Sequence, residues 1–164
     1  MNPERVDWKG HEKAVSEELA HCLGLLSKLD GEVCAFGIEG DVEQGLVNIS
    51  ANVLSHRNVE NQWWLPDWSN PYLNDNLSSS ALFQYGEQIA AIDYGENVSD
   101  VYEALCENFR SSCLRALRGV VPLCSETSFS QTSDFMLVYM DGDEALYRGV
   151  TEIEAGSEQN SPNG

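Results

Sequence analysis

The chain has no Lys or Arg between Arg57 and Arg110, and that gap carries nine acids: Glu60, Asp67, Asp75, Glu87, Asp93, Glu96, Asp100, Glu103 and Glu107. Bases are scarce throughout, 9 against 27 acids, for a formal net charge of −18 over 164 residues. A small soluble domain usually lies within roughly 2 to 8 charges of neutrality. The deficit argues against nucleic-acid binding, which needs Lys and Arg to neutralise phosphates. It argues equally against an anionic membrane surface. A basic protein surface, met quickly through electrostatic steering, is the partner class that remains. Solubility alone is the alternative reading of the charge.

Other absences narrow the class further. The opening Met1–Gly10 has no apolar core of signal-peptide length. No run of roughly 18 apolar residues is present to cross a bilayer. Both absences predict a cytoplasmic protein. The five cysteines, Cys22, Cys34, Cys106, Cys113 and Cys124, contain no CxxC pair. In a reducing compartment they read as small buried hydrophobes, neither a disulfide framework nor a zinc site. There is no phosphate-binding glycine loop, GxGxxG, HExxH or GxSxG, so no cofactor and no catalytic residue is expected. A Cys–His or Ser–His–Asp site built in three dimensions from His11, His21 or His56 has no mark in the sequence.

What is present predicts one globular α+β domain over residues 1–153, followed by a flexible polar tail, 154–164. Val15, Leu19, Cys22, Leu26 and Leu29 recur at helical spacing, with Glu17 and Glu18 off the stripe and Asp30-Gly31 as a stop. A helix over 10–29 follows, with His11 and His21 solvated or capping. A second helix over 98–118 buries Val98, Val101, Leu105, Phe109, Cys113 and Leu117. Asn97 and Asp100 form its capping box, and Gly119 and Pro122 its stop. Strands are expected at 32–38, 46–54, 135–140 and 145–153, forming a largely antiparallel sheet packed by the two amphipathic helices. Residues 81–97 carry a mixed apolar run of unassigned type.

Two segments are the candidate partner-binding features. Glu39-Gly-Asp-Val-Glu-Gln-Gly45 reads as an acidic hairpin loop presenting Glu39, Asp41 and Glu43. Residues 60–75 hold Glu60, Asp67 and Asp75 beside three tryptophans, Trp63, Trp64 and Trp68, in a stretch that Pro66 and Pro71 keep irregular. One or two of these rings should anchor the segment in the core, leaving another as an interface anchor.

The order of features also resembles a known group. A leading helix, the strand Val33-Cys-Ala-Phe-Gly-Ile38, then Val47-Asn-Ile-Ser-Ala-Asn52, the Trp63-Trp-Leu-Pro-Asp-Trp68 stretch, a long helix and two closing strands resemble a bacterial family of unknown function. Its members recur among immunity proteins of contact-dependent and polymorphic toxin systems. The resemblance covers roughly residues 10–153 and brings no catalytic residues. It implies a stoichiometric binder that occludes a basic toxin domain. The competing class is a small enzyme or ligand sensor with a pocket near Trp63–Trp68.

Overall fold

Strand β1, Val33–Asp41, is buried at every position from Val33 to Ile38. Such a run belongs at the centre of a sheet covered on both faces. In the computed structural model, which describes residues 5–75, 80–142 and 145–150, β1 lies between β2 (Leu46–Val53) and β3 (Gln131–Asp141). The order is β2-β1-β3-β4, with β4 formed by Ala145–Arg148. The fold is α+β.

The antiparallel expectation applies to the two outer pairings, β1 with β2 and β3 with β4. The central pair differs: β1 and β3 run parallel, with Phe36 opposite Leu137 and Ile38 opposite Tyr139. A parallel pair needs a long crossover. The connection includes β2, which runs back antiparallel to β1, and then α2 (Ser80–Ala90), α3 (Val98–Gly119) and the short α4 (Val121–Glu126) before β3 begins.

Helix α1, Trp8–Leu26, starts at Asp7, whose Oδ1 accepts the Gly10 N–H at 3.0 Å. It lies against α3 and α2, and the helices cover one face of the sheet in a core that includes Leu19, Phe36, Ile49, Phe109, Leu117 and Tyr139. Arg115 spans α3 and α1 to Glu12 at 2.7 Å, and Arg110 ties α3 to Asp141 of β3 at 2.7 Å.

The opposite face is covered by the irregular 56–75 segment. A second core there joins Ala35, Val138 and Met140 of the sheet to Leu65 and Trp68. The same segment closes the outer edge of β2. Ala51 and Asn70 exchange backbone hydrogen bonds, and the Asn74 amide accepts from Ile49 N and donates to Val47 O. A strand edge left open would invite pairing with another chain.

Several local expectations need correction. Residues 81–97 hold α2. Asn97 makes no side-chain capping bond, and Val98 is exposed, since α3's apolar contacts begin one turn later. Helix α3 stops at Gly119 as expected, and Pro122 beyond it enters the first turn of α4, where a proline has no N–H needed by the helix. His11 is fully buried, and Glu18 lies on the covered face of α1 at 5% exposure. Glu18 was expected to point away; α2 packs against that flank and covers it. Of the closing strand 145–153, residues 151–153 lie outside the described residues, as does the tail.

Candidate functional site

The three tryptophans have three different environments. Trp68 follows a single 3₁₀ turn, Leu65–Asp67, begun with the help of Pro66. It is 2% exposed and its indole N–H donates to Asn61 O at 3.0 Å. Trp63 is half-buried beneath Arg148, whose guanidinium carbon is 4.0 Å from the ring centroid. Trp64 is 40% exposed, so it is the ring left free to meet a partner. Glu60 and Asp67 are exposed on the same segment.

The expected acidic loop is shorter than its sequence suggested. Strand β1 runs through Asp41, so the turn is only 42–45. Glu39 is therefore a half-buried strand residue between Asn48 and Met140, not a solvated loop acid. Its Oε2 has no hydrogen-bond partner, and burial, with Asp41 nearby, pushes its carboxyl above the usual range. Asp41 is half-buried and accepts the Gln44 N–H at 3.1 Å, holding the turn. Only Glu43 of the three is exposed.

Asp75 belongs to a different place. A cleft of about 330 Å³ opens between the β1–β2 hairpin and α2, lined by Glu18, Gln44, Leu46, Asn48, Asn74, Asp75, Phe83 and Glu87 among others. None of the three tryptophans lines it. Its narrow side is made by two glycines. Gly45 sits at φ +64°, and a Cβ on Gly86 would fall 2.8 Å from Gly45 O. Hairpin and helix thus meet backbone to backbone. Glu18 is the buried acid of this cleft; its Oε1 has no hydrogen-bond partner, and desolvation raises its pKa against a smaller lowering by His21. Sequence reasoning missed Glu18 and Glu87 as site residues. The only available signal was an acid at helical spacing between Val15 and Cys22, and it is visible only once α2 is in place.

A Ser–His pair does form, between His11 and Ser112, with Nδ1 2.7 Å from Oγ. The Ser112 hydroxyl donates to Phe109 O, so His11 Nδ1–H is the donor to Ser112. The serine proton therefore points away from the imidazole. Both residues are 0% exposed, and His11 is wrapped by Trp8, Tyr85 and Phe109. Desolvation pulls its pKa down to about 4. The arrangement is structural: no substrate reaches it and the nucleophile is not activated.

The nine acids of the base-free gap are all exposed, and none makes an ion pair among the described residues. The ion pairs that do form use Lys13, Arg57, Arg110 and Arg115 on other acids: Glu17, Asp134, Asp141 and Glu12. Four of the nine bases are thus engaged on other acids, and no ion pair among the described residues offsets the charge of the gap. No helix of the described residues is long and apolar enough to cross a membrane. No protein-family model, curated protein or solved structure matches this chain.

Proposed function

We propose that this protein is an acidic, stoichiometric binding protein, an immunity-type inhibitor that occludes a basic bacterial toxin domain. The observation that carries the reading is the set of nine exposed acids without ion-pair partners. Such a field steers a basic protein into encounter, while an exposed ring such as Trp64 slows its release. Glu43, Glu60, Asp67 and Asp75 lie exposed for this role, whereas Glu39 and Asp41 are partly withdrawn into β1. A cytoplasmic location fits the five cysteines, all free and buried.

Affinity purification from the native host with mass spectrometry identifies the partner, and reconstitution with the purified partner tests the reading. A basic toxin domain should lose its activity at one equivalent of this protein. Its association rate should fall steeply with added salt. A partner that is not basic, or one whose activity persists at several equivalents, overturns the inhibitor reading. An association rate indifferent to salt returns the charge to solubility alone.

A further inference from the structure

Among the described residues, Glu18 combines burial with a carboxylate oxygen, Oε1, that has no hydrogen-bond partner. It is 5% exposed, and Oε1 is shut off from water without a hydrogen bond. Native folds seldom leave a buried carboxylate in that state, because desolvation without compensation is unfavourable. The basic group acting on it is His21, exposed and one turn further along α1. Glu18 nonetheless lines the cleft, so a ligand there can supply the missing positive charge.

The rest of the lining decides the ligand's character. Asp75 and Glu87 are its other charged residues and no Lys or Arg lines it, so the cleft repels anions. The carboxylates do not converge for a metal; no three His, Cys, Asp or Glu side chains among the described residues gather into such a set. The mouth is apolar, with Phe83 63% and Leu46 44% exposed, an arrangement the core does not require. A hydrocarbon stem can lie on these side chains, and the Phe83 ring favours a nearby cation. At about 330 Å³ the space suits a short ligand. Gln44 and Asn48 add amide groups to the wall.

We propose that the cleft between the hairpin and α2 binds an alkylammonium group, with the Glu18 carboxylate as its counter-ion and Phe83 and Leu46 against its stem. The group is either that of a free alkylamine or that of a lysine side chain on another protein. The proposal stands on the cleft alone and does not require the basic partner inferred above.

Calorimetric titration with n-butylamine, 1,5-diaminopentane and Nα-acetyl-lysine methylamide, against 1-butanol as the uncharged control, tests it. The amines should saturate the protein at millimolar concentration or below, and butanol should not. Glu18→Gln should weaken amine binding by about tenfold or more, the loss expected for a charged hydrogen bond. It should also raise the melting temperature, because an unpaired buried charge is removed. Phe83→Ala, at an exposed position, should weaken binding without unfolding the protein. Tighter binding of the free amines assigns a small-molecule ligand, and tighter binding of the lysine mimic assigns a protein lysine. Failure of every amine to bind, butanol binding equally well, or full amine binding by Glu18→Gln each overturns the proposal.

Discussion

His11 is neutral at physiological pH because its environment excludes water and offers one hydrogen bond, to Ser112. Its pKa falls from 6.5 to about 4 on folding, so the folded state disfavours the charged imidazolium. The stability this contributes is fully present above pH 6.5 and is lost as pH falls towards 4. The linked loss over that window is about 3 kcal/mol. Glu18 and Glu39 act in the opposite sense: burial raises their carboxyl pKa values, so protonation on acidification relieves strain. Urea unfolding at stepped pH on wild type and His11→Gln separates the two. The wild-type curve should decline between pH 6.5 and 4, and the variant should decline much less. Equal slopes in the two proteins would remove His11 as the cause. The cysteines follow the same logic, since desolvation first and Glu18 second push the Cys22 thiol up to about 12. All five cysteines are buried, so native protein should resist alkylation and yield five modified thiols after denaturation, read by intact mass.

At the scale of elements, the tryptophan segment separates folding from binding. Trp68→Ala empties the second core under the sheet and should destabilise by about 3 to 5 kcal/mol. Trp64→Ala removes a ring from the surface and should change stability by only about 0.5 kcal/mol. Denaturant midpoints for the two variants check the contrast, and a large loss at Trp64 would show that its ring is not free. Gly86 gives the corresponding test for the cleft. A methyl group there meets the Gly45 carbonyl, which is backbone and cannot swing aside. Gly86→Ala should destabilise by about 1 to 3 kcal/mol. The same glycine explains why α2 was unreadable in the sequence. Its buried line runs Leu82, Gly86, Ile89, and the middle position buries backbone where a helical stripe would carry a side chain. Helices α1 and α3 were legible because their apolar positions recur over about four and five turns respectively. Strand β2 was legible from alternation and β1 as a short apolar run, the two separated by a glycine-bearing acidic turn. The parallel pairing of β1 with β3 was not, because no local pattern records which distant strand lies alongside. The candidate site was read only in part: the sequence left open which of the three rings is exposed, Trp68 is buried, Asp75 lines the cleft, Glu39 belongs to a strand and Glu18 depends on α2.

For the molecule as a whole, a charge of −18 must make the native state repel itself. Glu103 and Glu107 show the effect locally, as exposed like charges four residues apart on α3 with no cation between Arg57 and Arg110 to offset them. Screening acts on such exposed groups because the Debye length shrinks from about 30 Å at 0.01 M salt to about 3 Å at 1 M. The melting temperature should therefore rise by several degrees across that range of sodium chloride, a salt with little preferential-exclusion effect. Replacing Glu103 and Glu107 with Gln should raise the low-salt melting temperature and reduce the salt increment, while leaving the high-salt value nearly unchanged. The comparison needs no partner, so it tests the field separately from the inhibitor reading. A melting temperature flat in salt would mean that the acids are too far apart or too well hydrated to interact, and steering of a basic protein would lose its physical basis. A rise that the double variant diminishes would place the uncompensated field on the face formed by the first half of α3, and a bound basic protein covering that face should stabilise the fold by the same relief of repulsion.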